Sequence, residues 1–158
     1  MHTATTWIPL SLLAVVLVIV LAGCTAGQTA ADLSAVDAQW DDAAEALERL
    51  PATDAERETI DTAWEALSRA REDVRTVESS GDAERVYLRA RTAYMKLYGI
   101  ILDYYDDMPP ADQRLAERLH ERAQRIDEQA ERAHQERLVE LLETAAAIGR
   151  LAERVGVR

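Results

Sequence analysis

Apolar residues recur at intervals of three and four positions along nearly the whole chain after residue 31. This spacing follows one face of a helix with 3.6 residues per turn, so the pattern predicts amphipathic α-helices rather than β-strands. Proline or glycine interrupts the pattern at Pro51, within residues 79–81 and within residues 108–110. Because both residue types end helices, the interruptions separate predicted helices, and the sequence predicts an all-α fold.

The interruptions divide the pattern into four predicted helices. The first spans about residues 32–50, the second begins at a capping box formed by Thr53 and Glu56, and the third spans about residues 83–106. The next proline or glycine lies near the end of the chain, so the fourth helix is predicted to run from about residue 111 to 155. Short connections make consecutive helices antiparallel. We therefore predict an antiparallel up-down helical bundle of three to four helices with a long C-terminal helix.

The predicted C-terminal helix is much longer than its neighbours. At 1.5 Å per residue it measures about 67 Å, against about 36 Å for the third helix, so it extends past the others from about Leu138 onward. This overhang keeps an apolar stripe that includes Leu138, Leu141 and Ile148. Exposed stripes of this size are usually covered. Three alternatives remain open, namely self-association as a coiled coil, folding back near Gly149, and contact with a membrane.

A line of tyrosines follows the third predicted helix. Tyr87, Tyr94, Tyr98 and Tyr105 are separated by 7, 4 and 7 positions, which places the rings within about 40° of one another on a helix. One interpretation is an edge of the core, with the rings packed inward and the hydroxyls reaching water. The other is a strip that binds a partner, since tyrosine is enriched at interfaces. Together with the overhang stripe, these tyrosines are the candidate partner surface.

The N-terminal segment has the pattern of an export signal. Residues 8–22 form an apolar run that is broken only by Pro9 and Ser11. This run is shorter than the roughly 20 apolar residues that a helix needs to span a bilayer. Leu21-Ala22-Gly23-Cys24 follows directly, and Cys24 is the only cysteine in the chain. This segment resembles the lipobox of bacterial lipoproteins.

The resemblance implies where the protein is located and how it is held there. Residues 1–23 are then a signal peptide, residues 24–31 a lipidated tether, and residues 32–158 the helical domain. Cys24 becomes the new N-terminus and carries covalent lipid, including palmitate, as membrane anchor. Thr25 follows the cysteine, and a residue other than aspartate there implies the outer membrane, facing the periplasm, in a Gram-negative host.

The charge of the chain limits its partners. The net charge is −11, and all of it lies after residue 23 because the signal segment contains no charged side chain. An acidic surface repels phosphate backbones, which argues against nucleic acid as a partner. We therefore expect contact with the membrane through the lipid, and with either a protein partner or further copies of the chain.

The most suggestive chemical pattern is a pair of Glu-x-x-His motifs, formed by Glu117 with His120 and by Glu131 with His134. In ferritin-like bundles such pairs lie on different helices and together bind two irons. Here both pairs lie on the same predicted helix, about 21 Å apart, so they cannot share a metal cluster. We predict no metal site, no catalytic residue and no cofactor besides the lipid on Cys24. The predicted function is a non-enzymatic binding, scaffold or structural module. The alternative is a ligand or metal carrier with its site inside the bundle.

Overall fold

The computed structural model of the chain describes residues 32–155. The predicted signal peptide, the predicted lipid attachment at Cys24 and the predicted tether lie outside the described residues. Within residues 32–155 all regular structure is helical, so the predicted all-α class is confirmed. Among these residues, no helix combines the length and the apolar character needed to cross a bilayer.

Five α-helices and two short 3₁₀ helices make up the described part of the chain. The α-helices are α1 (32–48), α2 (Asp54–Asp73), α3 (Ser80–Asp103), α4 (Pro110–Glu128) and α5 (His134–Arg150). The 3₁₀ helices are Tyr105–Asp107, after α3, and Leu151–Arg154, after α5.

Local sequence explains where α2, α3 and α4 begin. The predicted capping box of α2 is confirmed, since the Thr53 hydroxyl accepts from the Glu56 backbone N–H at 3.3 Å and the Glu56 carboxylate accepts from the Thr53 N–H at 2.7 Å. Ser79 caps α3 by accepting from the Asp82 backbone N–H at 3.1 Å. Pro110 occupies the first turn of α4, where the missing N–H of proline costs no hydrogen bond.

The predicted single helix from residue 111 to 155 is wrong, because α4 ends at Glu128 and α5 begins at His134. The buried Arg137 explains the break. Its Nε donates to the carbonyl of Ile126 at 2.9 Å and its Nη2 donates to the carbonyl of Asp127 at 3.1 Å. These carbonyls belong to the last turn of α4. Carbonyls in the last turn of a helix have no N–H of the same helix to accept from, so they need another donor. The chain folds back at residues 129–133, and the predicted overhang does not form.

All five helices contribute to one apolar core. Asp37 near the start of α1 contacts Arg71 and Arg75 at the end of α2, so these two helices run in opposite directions. Tyr104 after α3 donates to the Glu56 carboxylate at 2.9 Å at the start of α2, so α2 and α3 also run in opposite directions. α3 packs against both α2 and α5, which leaves one face of α3 directed away from the core.

Gly149 allows α5 to approach α1 closely. A Cβ at this position lies 3.1 Å from the Ala43 Cβ and 3.4 Å from the Leu47 Cδ1, closer than most side chains tolerate. Gly149 lies inside α5 and is buried, so it does not mark the point where the chain turns back. Folding back near Gly149 was one of the three alternatives. The chain instead folds back at residues 129–133, which contain neither glycine nor proline.

Candidate functional site

The predicted partner stripe on the C-terminal segment is buried. Leu138, Leu141 and Ile148 are at most 1% exposed, because they lie on the face of α5 that packs into the core. Buried side chains are not available to a second subunit or to a membrane. The prediction that these three residues form a partner surface is therefore wrong, and its cause is the turn between α4 and α5.

The tyrosine line is also part of the interior rather than a surface strip. Tyr87, Tyr94 and Tyr98 are buried and belong to the core, which supports the core interpretation of these rings. Their hydroxyls do not all reach water as that interpretation expected, since the Tyr94 hydroxyl is buried and has no hydrogen-bond partner among the described residues. Tyr105 is half-buried beyond the end of α3, and its hydroxyl donates to Glu117.

A polar network around Asp127 joins α3, α4 and α5. The Tyr87 hydroxyl and the Arg91 Nε donate to the two carboxylate oxygens of Asp127, and the Arg137 guanidinium lies 4.4 Å from the centre of the Tyr87 ring. Burial and the neighbouring Asp127 raise the pKa of Tyr87 to about 12, so its hydroxyl stays protonated and donating. The network holds three helices together and leaves Asp127 with both oxygens occupied.

A second polar feature is a stack of rings between α3 and α4. Tyr94 and Tyr98 stack with ring centres 6.1 Å apart, and Tyr98 stacks on His120 at 4.2 Å. The Tyr94 hydroxyl and the His120 Nδ1 are both buried without a hydrogen-bond partner in the described part of the chain. Burial raises the pKa of Tyr94 well above its ordinary value. Each of these two buried atoms keeps a hydrogen-bonding capacity that the described residues leave unused.

The two Glu-x-x-His motifs are not brought together. Glu117 accepts from Tyr105, and His120 faces the Tyr98 ring. Glu131 is exposed in the turn after α4, and His134 begins α5 beside the Tyr87 ring. Within residues 32–155, no group of three or more His, Cys, Asp or Glu side chains is arranged to bind a metal ion.

The exposed apolar side chains lie elsewhere, on the outer face of α3. Leu88, Met95 and Leu102 are 49%, 46% and 43% exposed, and we call these three residues the apolar strip. They are seven positions apart, so they align along one side of the helix within about 40°. The strip was not predicted from the sequence, although its residues recur every seven positions. The reason is that α3 carries two further lines of apolar residues with helical spacing, and the prediction rested on those lines.

A shallow groove of about 390 Å³ runs beside the apolar strip. We call it the α2–α3 groove. Its floor consists of small side chains of both helices, and Leu88, Arg89 and Lys96 form its α3 wall. The small residues are Thr62, Ala63, Ala66, Thr92 and Ala93. Small residues form a groove and the neighbouring leucine and methionine protrude beside it. Another helix can pack its ridge of side chains into such a groove.

Comparison with other proteins adds no family to this description. No family model matches the chain, and no curated protein or solved structure matches it. The function is therefore inferred from the residues of the chain itself.

Proposed function

We propose that this protein is a small acidic lipoprotein of the cell envelope, anchored through lipid on Cys24, that acts as a non-enzymatic binding or scaffold module. Its helices form an up-down bundle, and a protein partner docks on the outer face of α3. The observation that carries this proposal is the apolar strip of Leu88, Met95 and Leu102 beside the α2–α3 groove. In a Gram-negative host the domain faces the periplasm from the outer membrane.

The arrangement of the strip favours binding over chance exposure. Single exposed apolar residues are ordinary on protein surfaces. Three that align beside a groove are less ordinary, because contiguous apolar patches mark interaction sites. Burying such side chains stabilises a complex by roughly 25 cal/mol per Å² of apolar area, before the cost of association is subtracted. The charged residues Arg89 and Lys96 at the edge of the strip suit the polar rim of an interface.

The electrostatics of the partly buried acids support a non-enzymatic role. Burial alone raises the pKa of Glu140, but hydrogen bonds from Arg132 at 2.7 Å and Arg122 at 3.3 Å outweigh it and lower that pKa overall. A general acid needs a carboxyl whose pKa is raised toward neutrality. Glu140, paired with Arg122 and Arg132, therefore has the character of a structural ion pair.

The anchor is tested by the mass of the N-terminal peptide of protein purified from membranes. We expect a peptide that begins at Cys24 and carries acyl chains. Cys24→Ser is the matched variant, and it is expected to keep residues 1–23 and to lack lipid. An unmodified Cys24 in the wild-type peptide contradicts the anchor.

The docking surface is tested by placing a photo-crosslinking amino acid at Met95 of the full chain in intact cells. We expect an adduct from position 95 and none from position 118, since Arg118 is exposed on α4 and lies outside the strip. Leu88→Lys is expected to reduce the adduct from position 95, because it places a charge in the strip. If positions 88, 95 and 102 all give no adduct, the docking proposal fails.

A second candidate function is a carrier of a small polar ligand near Tyr94 and His120. It is favoured by the two buried atoms of these residues that have no hydrogen-bond partner within residues 32–155. Native mass spectrometry of the purified protein tests it, and the expected result is a bound species that is lost in Tyr94→Phe. A protein that carries no small molecule, and that Tyr94→Phe merely stabilises, excludes the carrier.

A further inference from the structure

We propose that the partner on the apolar strip is a second copy of this chain, packed α3 against α3 in antiparallel orientation about a twofold axis at Met95. This inference rests on the proposed function, because it names the occupant of the same docking surface. It replaces self-association through the C-terminal segment, which was one of three alternatives that the sequence left open. Three features of α3 support it.

The first feature is the symmetry of the strip about Met95. Leu88 lies seven positions before Met95 and Leu102 lies seven positions after it. In an antiparallel pair, positions equally far before and after the axis face each other. Leu88 therefore faces the partner's Leu102, and Met95 faces the partner's Met95. The same patch on both subunits is what a twofold interface requires.

The second feature is the distribution of exposed charge along α3 and the turn after it. Before Met95, the exposed charged residues are Glu84, Arg85, Arg89 and Arg91. After Met95, they are Lys96, Asp103, Asp106 and Asp107. Antiparallel packing brings the arginine-rich half of one copy onto the aspartate-rich half of the other, whereas parallel packing brings like charge onto like. The surface is thus complementary to itself in one orientation.

Two charged residues at the edge of the strip define a specific contact. Arg89 follows Leu88 and Asp103 follows Leu102, so both lie on the same side of the strip. Arg89 lies six positions before Met95 and Asp103 eight positions after it, so Arg89 and the partner's Asp103 are offset by about 3 Å along the paired helices, which the long arginine side chain spans. The contact occurs twice by symmetry. Within its own chain, Arg89 contacts Asp73 at 3.4 Å with two thirds of its side chain exposed, so reaching the partner's Asp103 exchanges one exposed ion pair for another. Lys96 follows Met95 and meets its own copy at the axis, which is an unfavourable contact.

The third feature is Gly99, which the packing of a single chain does not require. A Cβ at this position meets nothing within 4 Å, and glycine inside a helix is destabilising relative to alanine. Gly99 and Thr92 lie on either side of Met95 along the strip. Small residues at these positions leave space for the partner's Met95, as the holes of a coiled coil receive its knobs.

Disulfide formation in the full chain tests the pairing and its direction. We expect Met95→Cys to give a disulfide-linked dimer in the oxidising envelope, whereas Arg118→Cys on the outer side of α4 gives only the background of the wild type, whose sole cysteine is Cys24. Leu88→Cys and Leu102→Cys are expected to link to each other when both variants are co-expressed. Each of these two variants expressed alone should link weakly. A monomeric Met95→Cys variant overturns the proposal, and strong Leu88→Cys self-linking overturns the antiparallel orientation.

Charge exchange at the edge of the strip separates this pairing from unspecific contact. In the Met95→Cys background, Arg89→Asp alone and Asp103→Arg alone are expected to lower the dimer fraction severalfold, because each places like charges opposite one another. The double variant Arg89→Asp with Asp103→Arg is expected to restore it. Lys96→Gln is expected to raise the dimer fraction. Failure of the double variant to recover, with unchanged far-UV circular dichroism, overturns the proposed contact.

The photo-crosslinker at Met95 distinguishes failure of this inference from failure of the docking surface. An adduct of twice the mass of the chain supports the second copy. An adduct with a different protein, together with a monomeric Met95→Cys variant, leaves the docking surface in place and overturns the second copy. Absence of any adduct at positions 88, 95 and 102 overturns both.

Discussion

The apolar face of α5 and the apolar strip of α3 have similar spacing in the sequence and opposite positions in the molecule. Leu138 and Ile148 on α5 have no exposed surface, whereas Leu88 and Leu102 on α3 are 49% and 43% exposed. The difference arises because α3 carries more apolar lines than one helix can turn toward a core, and only some of them meet α2 and α5. Periodicity therefore defines a face of a helix and does not decide what covers that face.

The largest expected effect is the difference in protein stability between removing a leucine from the buried face of α5 and removing one from the apolar strip of α3. Leu142→Ala removes a side chain with no exposed surface from α5 and is expected to lower the free energy of unfolding by about 2–5 kcal/mol. Leu102→Ala makes the same change on the apolar strip and is expected to cost less than about 0.5 kcal/mol. Urea denaturation at low protein concentration measures both, since dilution removes any contribution from association. Equal losses contradict the assignment of the two faces.

The next effect concerns the turn that buries α5. Arg137→Ala removes the donors to the Ile126 and Asp127 carbonyls, and we expect a loss of about 2–3 kcal/mol because buried carbonyls lose hydrogen bonds from a charged group. Urea denaturation measures the loss, and hydrogen exchange shows whether residues 129–133 open. Arg118→Ala is the exposed control and is expected to be neutral. An unchanged stability in Arg137→Ala means that other contacts specify the turn.

Two tyrosine substitutions are expected to change the stability by smaller amounts and in opposite directions. Tyr94→Phe removes a buried hydroxyl that has no hydrogen-bond partner in the described part of the chain, and is expected to stabilise the protein by about 1 kcal/mol. Tyr87→Phe removes a donor to Asp127 and is expected to destabilise it by a similar amount, about 1 kcal/mol. Thermal unfolding of the two variants beside the wild type measures both changes. A loss of stability in Tyr94→Phe indicates that its hydroxyl has a hydrogen-bond partner.

The smallest expected effect is a pH dependence from the ion pairs that join α4, α5 and their turn. The pKa of Glu140 in the folded protein lies below its ordinary value of 4.5, since Arg132 and Arg122 outweigh the effect of burial. Its contribution is therefore present above pH 4.5 and is lost as the pH falls through the lower folded pKa. Glu140→Gln is expected to make stability depend less steeply on pH in that acid range. Identical slopes for the two proteins, measured by urea denaturation, contradict this contribution.

Local signals in the sequence were sufficient for the first half of the fold. The proline at position 51 and the Thr53–Glu56 capping box correctly separated α1 from α2, because these residues act on the backbone next to them. The break between α4 and α5 was missed because residues 129–133 have no helix-ending residue type. The buried guanidinium of Arg137, from the following helix, satisfies the last carbonyls of α4, and a periodic pattern contains no sign of that contact.

The candidate site likewise has features that the sequence determines and features that only tertiary contacts determine. The sequence by itself determined the helical class, the acidic character and the spacing of every apolar line, since these depend on residue type and order alone. It also carries the resemblance to a lipobox at Cys24, which stays a prediction. Only the tertiary structure decided that the tyrosines and the α5 stripe are interior and that Leu88, Met95 and Leu102 are exposed. The physical reason is that burial depends on which helices are neighbours in space, and the turn at residues 129–133, where Arg137 donates to the last carbonyls of α4, sets those neighbours.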